Sequence, residues 1–484
     1  MAAAPARPTR STPAAAIRPH VIQGGMGVAV SSWPLARAVS LAGQLGVVSG
    51  TALDVVTARR LQDGDVGGHL RRALAHFPVP AMAARVVERY FRPDARPPGL
   101  PYLPVPKLGL RPSARATELS VVASFAEVWL AKEGHTRAVG INLLEKIQMA
   151  TPSAVLGAML AGVDVVLMGA GIPAQMPRLL DRLARREPAS VDVRVDGATT
   201  GYEVGVDPQA FTGAHDEPLH RPMFLAVIAA HVLAVHLARD AATAPDGFVV
   251  EGHRAGGHNA PARGRPVLTD DGQPVFGPRD DADLAAVAAV GLPFWIGGGQ
   301  GAPGQVRRAR EAGAVGVQVG SLFALAEESG LDPDLRGRAL ADLAAGTLEV
   351  RTDPRASPTG FPFKVARLAG TQSDPEVHAA RERLCDVGHL RVPFERAPGS
   401  VGYRCPGEPL AAYVEKGGDV ADTEGRTCLC NGLLADVGLA QTRRDGYVEP
   451  ALVTLGSDLD GARDLALRHP AGWTAADVVD HLLA

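Results

Sequence analysis

The run Glu251-Gly-His-Arg-Ala-Gly-Gly-His258-Asn-Ala-Pro261 joins the residue types that proton chemistry at a bound ligand requires. Paired glycines let backbone approach a flat or anionic ligand closely, because no Cβ stands in the way. A histidine at the lip of such a turn titrates near working pH and can move a proton. Taken alone, this run reads first as a tight turn with a surface histidine. Other stretches carry ligand-friendly residues too: Gln23-Gly24-Gly25-Met26-Gly27, Asn142, Gly169-Ala-Gly171, Gly297-Gly298-Gly299-Gln-Gly301 and Gly320-Ser321. Met26 offers a soft side chain that can lie against a ring, and Asn142 an amide able to read a heterocycle edge.

Each of these stretches ends a short apolar run. The expected strands are 21–25, 46–50, 138–142, 164–169, 224–229, 247–250, 293–297 and 315–320, apolar on both faces as strands covered by helices are. Segments between them show helical spacing of three and four, as in Leu35–Val39, Ala154–Leu160 and Gln305–Ala309. Eight strands alternating with helices predict an α/β fold, a (β/α)₈ TIM barrel over residues 20–330. Residues 119–125 read as a ninth strand or as the start of a helix reaching Lys132, and the helix is preferred. Insertions are expected near 63–118, helical and then proline-rich, and near 191–222, a hairpin or irregular insert. Residues 331–484 read as a mainly helical accessory or cap region, and residues 1–19 as a disordered leader.

In such a barrel, ligands gather at the C-terminal ends of the strands. The glycine clusters after the seventh and eighth strands then form a phosphate grip, since backbone N–H groups at loop turns hold an anion without a lysine.

The ordered set Ile22-Gln-Gly-Gly-Met-Gly27, Gly140-Ile-Asn142, Ala255-Gly-Gly-His258, Gly297-Gly-Gly299 and Val317-Gln-Val-Gly320 resembles the nitronate monooxygenase family, formerly called 2-nitropropane dioxygenases, which also holds FMN-dependent enoyl-reductases. The resemblance covers roughly residues 20–53 and 137–330. It implies a TIM barrel holding FMN noncovalently, with Gln23, Gly24, Gly25 and Met26 on the isoalloxazine and Asn142 at its pyrimidine side. Gly298, Gly299, Gly320 and Ser321 would hold the phosphate, with Gly169, Gly256 and Gly257 also lining the cofactor site. His258 matches the family's catalytic histidine. The chain departs from the pattern beside it. Where the family reads Glu-Ala-Gly-Gly-His, then one residue and Gly, this chain has Arg254 before the motif and Ala260-Pro261 after Asn259.

The resemblance implies an FMN-dependent oxidase that converts nitronates or nitroalkanes with O₂ to a carbonyl compound and nitrite. In that reading His258 accepts the α-proton or hydrogen-bonds a nitronate oxygen. The alternative is an enoyl-thioester reductase in which NAD(P)H reduces FMN and the substrate rides on a carrier protein. No separate Rossmann signature accompanies it, so the nicotinamide would stack on the flavin. A third reading is a flavin-binding scaffold whose accessory region docks a partner.

Further residues were weighed. Glu145 and Lys146 follow the third strand and read as ligand contacts or as a solvated pair. His253 suits an orienting or surface role and His231 a core histidine. Ser357-Pro-Thr-Gly-Phe-Pro-Phe-Lys364 reads as a cap over the site or as tail packing. Four thiolates, Cys385, Cys405, Cys428 and Cys430, could bind zinc or an iron–sulfur cluster, but they lack paired C-x₂-C knuckles. Free thiols and no metal are the expectation. A net charge of −3 with interspersed charges argues against a nucleic-acid footprint. Short apolar runs argue against a membrane span. Few cysteines fit a reducing, cytoplasmic setting.

Overall fold

The computed structural model describes residues 17–213, 217–397 and 399–484. Apolar runs become strands where expected: β1 Val21–Gln23, β2 Gly46–Ser49, β3 Val139–Leu144, β4 Val165–Gly169, then the hairpin β5 Ala189–Val193 and β6 Tyr202–Val206, followed by β7 Met223–Ile228, β8 Gly247–Glu251, β9 Phe294–Gly297 and β10 Gly316–Val319. All but β5 and β6 form one eight-stranded sheet in the order β1-β10-β9-β8-β7-β4-β3-β2, with neighbouring strands parallel. A parallel bridge between Ile22 and Leu45, with Gln23 N donating to Leu45 O at 2.9 Å, joins β1 to the start of β2 and closes the sheet. The fold is a (β/α)₈ TIM barrel.

Two layers of side chains explain the closure. Inside, Ile22, Leu45, Val47, Val165, Leu167, Leu225, Val249 and Trp295 fill the barrel. Outside, the alternate strand residues Val21, Val48, Ile141, Val166, Phe224, Phe248 and Phe294 join the helices in the main core. Double-sided burial of this kind is why these strands read as continuous apolar runs. Residues 119–125 are helical, within Ala114–Lys132, whose Ser113 cap accepts from Ala116 N.

The leader expected at 1–19 lies outside the described residues up to position 16. Its last residues are packed rather than loose: Trp295 Nε1 donates to Pro19 O at 2.8 Å, and Ile17 leans on the barrel interior. The 191–222 insert contains the β5–β6 hairpin, which is antiparallel.

Beyond residue 330 the chain mixes helices with two antiparallel pairs, β11 Val350–Asp353 with β12 Phe363–Ala366, and β13 Val392–Ala397 with β14 Ser400–Arg404. This region is built onto the barrel. Trp473, buried, donates its Nε1 to Leu322 O at 2.8 Å, and Val478, Val479 and Leu482 belong to the main core. Among the described residues no helix is long and apolar enough to cross a membrane.

Candidate active site

At the C-terminal ends of the strands the barrel opens into a cleft of about 1550 Å³ of empty space, part of it open to solvent. Gly24, Gly25 and Met26 after β1, Asn142 on β3, Gly169 on β4, Gly256, Gly257 and His258 after β8, Gly298 and Gly299 after β9, and Gly320 and Ser321 after β10 all line it. The β1 and β3 ends meet closely. A Cβ on Gly25 would sit 2.2 Å from Asn142 Cβ, so only glycine admits this approach. Gly298 has φ +84°, and a Cβ there would lie 2.9 Å from Gly252 O. The β9 loop therefore presents bare backbone to the cleft.

Gln23, expected on the isoalloxazine, stands behind the cleft rather than lining it, with its amide pointing into the barrel wall. Its Nε2 donates to Ser31 Oγ at 2.8 Å and to Gly24 O, and its Oε1 accepts from Val47 N at 3.0 Å. A fully buried amide must satisfy its polar atoms within the protein, so Gln23 shapes the β1 turn from behind.

His258 is fixed from the C-terminal region. Its Nε2 lies 2.7 Å from Ser357 Oγ, which in turn lies 2.8 Å from Thr359 Oγ1. Phe363 meets the imidazole edge-on, with ring centroids 5.0 Å apart. Backbone pairing holds both partners: Lys364 N donates to Gly257 O and Asn259 N to Pro362 O, each at 2.9 Å. The 357–364 segment thus extends the β8 loop as a strand-like neighbour. Burial, with help from the Lys146 charge, pushes the His258 pKa down to about 3, so the imidazole is neutral at working pH. Lys146 itself donates to Ala170 O at 2.6 Å and sits 3.6 Å above the Phe361 ring. Burial lowers its pKa to about 8 against the pull of Glu145. Glu145 accepts from Gln148 and does not line the cleft.

The carboxyl of Glu251, the last residue of β8, also lines the cleft. Burial without a compensating cation pushes it up to about 7. Glu251 opens the motif in the sequence, and its place at a barrel strand's C-terminal end is the signal for its role. The segment 454–458 carried no such signal. Thr454, Leu455, Gly456 and Asp458 line the cleft; Gly257 N donates to Thr454 Oγ1 at 2.9 Å, and Gly456 N to Ser321 Oγ at 2.8 Å. With its oxygen accepting there, the Ser321 hydroxyl proton is left to donate to an anion. Arg254, where the family pattern has Glu, pairs with Asp458 at 3.4 Å.

Two other histidines lie apart. His253 stacks on Phe276 with centroids 4.6 Å apart and faces Asp281 at 3.8 Å. His231, expected in the core, is half-buried at a helix start and accepts from Asp283 N at 3.3 Å. Its apolar neighbours belong to a helix whose Val232 and Val235 are themselves exposed, so an apolar run here does not mark the core.

No family model matches this chain, and no curated protein does. Among solved structures it is similar to FabK from Thermotoga maritima, at 15% identity and a TM-score of 0.47 over 96% of this chain and 92% of that one. A nitroalkane oxidase from Streptomyces ansochromogenes aligns at 16% identity and a TM-score of 0.47, covering 96% and 94%. The enoyl reductase domain of MlnA from the macrolactin biosynthesis cluster of Bacillus amyloliquefaciens aligns at 11% identity and 0.38, covering 74% and 66%.

Proposed function

We propose that this chain is an FMN-dependent oxidoreductase of the nitronate monooxygenase type, acting with O₂ on small nitronates or nitroalkanes to give a carbonyl compound and nitrite. The observation that carries this reading is one cleft in which a neutral histidine shares the lining with glycine-rich loop ends from β1, β9 and β10. Those loops suit the cofactor: Gly25 and Gly298 pack on Asn142 and Gly252 too closely for any side chain, which keeps bare backbone at the cleft. Gly24, Gly25, Met26 and Asn142 would lie along the heterocycle, while Gly298, Gly299, Gly320 and the Ser321 hydroxyl would take the phosphate. Bound there, FMN supplies the electron acceptor and the route to dioxygen.

The chain's own groups divide the remaining work. His258, kept neutral, hydrogen-bonds a nitro or nitronate oxygen and fixes the substrate's orientation. A histidine whose pKa is near 3 is a weak base, so the oxygen-binding role suits it better than α-proton abstraction. Glu251, with its carboxyl near 7, is the better-matched group to accept that proton from a neutral nitroalkane. Phe363, Leu429, Leu433 and Leu455 give the cleft apolar walls that exclude water and suit a short alkyl chain.

The test is a flavin assay on the purified protein. The reading expects a yellow protein whose released cofactor has the mass of FMN, and whose oxidised absorbance bleaches anaerobically with an alkyl nitronate. A colourless protein that refuses added FMN would overturn it. Rapid bleaching by NADH or NADPH, with none by nitronate, would move the assignment to the carrier-linked enoyl-thioester reductase.

A further inference from the structure

A second histidine lines the cleft. His389 comes from the region beyond residue 330, and its Nε2 donates to Asp54 Oδ1 at 3.1 Å. Asp54 lies in the first turn of the helix Leu53–Gln62, which follows β2, and stands behind the ring rather than in the cleft lining. Both side chains are buried, at 6% and 5% exposed. Burial alone would raise the Asp54 pKa, but the charge and hydrogen bond of His389 outweigh it, and the carboxyl stays ionised. With Nε2 committed to a carboxylate, Nδ1 is the nitrogen left over. Among the described residues it has no hydrogen-bond partner, and it is not sealed away from the cleft.

The surroundings of this pair are apolar. Val28, Ala52 and Ile147 from the barrel and Leu390, Leu429 and Leu433 from the region beyond residue 330 line the cleft and pack as one cluster. Phe363 belongs to that cluster and also meets His258 edge-on. One apolar wall therefore runs from His258 to the residues that flank His389. An ion pair in such a setting adds little net stability, because desolvation of both charges offsets their attraction. What it provides is an imidazole edge held in one orientation. Neutral, Nδ1 accepts a hydrogen bond; charged, it donates one. A carbonyl oxygen meets only the charged form and an amide N–H only the neutral one, whereas a hydroxyl meets both. A carboxylate fits poorly, since Asp54 already balances an imidazolium and repels a second anion.

We propose that the apolar lobe between His258 and His389 takes an aliphatic segment of the substrate, and that His389 Nδ1 holds a hydroxyl group at its far end. The substrate class is then a hydroxylated nitroalkane or nitronate, with Asp54 as the positioning residue behind the ring. The identity of the reacting group rests on the oxidase reading. The hydroxyl subsite does not, since His389, Leu429 and Leu433 lie outside the stretches that carry the family resemblance.

The test runs a homologous series of ω-nitro-1-alkanols against 1-nitroalkanes of matched length on the flavin-loaded full chain. A hydroxyl held at one fixed point singles out one chain length. The alcohol-to-alkane ratio of kcat/KM should peak there, about tenfold above its value for shorter chains, mainly through KM. His389→Phe should flatten the peak, whatever loss of rate both substrates share. A ratio that is flat along the series in the wild type overturns the proposal, and that comparison needs no variant to fold. A peak that survives in His389→Phe overturns it too. If no nitro compound is turned over at all, the oxidase reading fails by itself. The subsite is then read from binding, by the flavin absorbance change on adding 1-alkanols or 1-chloroalkanes of matched length. A length-specific preference for the alcohol supports the subsite, and its absence overturns it.

Discussion

His258 Nε2 and the Ser357 hydroxyl stand 2.7 Å apart, although 99 positions separate them in the chain. Ser357 is fully buried, and its hydroxyl engages Nε2, so Nδ1 is the imidazole nitrogen left for a ligand. The region beyond residue 330 is therefore part of the active-site architecture. His258→Ala is expected to lower kcat/KM by about 10²-fold or more while leaving bound flavin in place. Ser357→Ala should lower it by about tenfold, or ~1.4 kcal/mol, since the ring is kept but loses its orientation. Steady-state kinetics with parallel flavin quantitation check both. An unchanged rate in His258→Ala would instead favour an idle, flavin-binding scaffold.

The pH profile separates His258 from Glu251. A histidine held near 3 stays neutral across the neutral range, so no limb near 6.5 should arise from it. Glu251 is protonated below about 7 and charged above it. If the charged form accepts the α-proton, the rate with a neutral nitroalkane rises as pH passes through about 7. Glu251→Gln should abolish that limb and lower the nitroalkane rate by about 10²-fold, yet leave turnover of the preformed nitronate within a few fold. Profiles measured on both substrates decide it; equal losses on both would place Glu251 in structure rather than in proton transfer.

The barrel was legible because its strands are apolar on both faces and stop at glycine-rich turns, a pattern that half-exposed strands do not produce. Leu119–Phe125 is ambiguous by itself, since a short apolar run fits strand or buried helix equally, and the length of the segment to Lys132 makes it a helix. Where the Gln23 amide goes was not legible, because it is set by the closure of β1 on β2, where Val47 N donates to its Oε1. The 454–458 strap was invisible since its role depends on contacts such as Gly257 with Thr454, 197 positions apart. No local pattern encodes a contact of that range.

Gly25→Ala tests the close approach that the cofactor reading needs. The added methyl would lie 2.2 Å from Asn142 Cβ, so either Asn142 or the β1 turn has to move. Overpacking of this kind costs about 1–3 kcal/mol, and it narrows the cleft at the position assigned to the heterocycle. The expected outcome is at least a tenfold weaker FMN affinity, read by fluorescence quenching of titrated flavin, with a lower thermal midpoint. Unaltered affinity would place the flavin elsewhere in the cleft.

Arg221 offers a stability test remote from the chemistry. At the end of the insert before β7, its Nε donates to Asp181 Oδ1 at 2.8 Å and its Nη1 reaches Asp246. Asp246 also accepts from Phe224 N at 2.8 Å, tying the start of β7 to the residue before β8. Burial works against the charge of Arg221, but the two carboxylates outweigh it and raise the guanidinium pKa. Removing the cation breaks the ion pair that Arg221 makes with the Asp246 carboxylate, only 1% exposed. Breaking a buried pair from one side costs about 3–5 kcal/mol, so Arg221→Ala should unfold at clearly lower denaturant than the wild type. Arg221→Lys keeps the charge but loses the fork that spans both aspartates, and should fall between the two. A Lys variant as unstable as the Ala variant would show that the two-carboxylate geometry, rather than the charge, holds β7 in place.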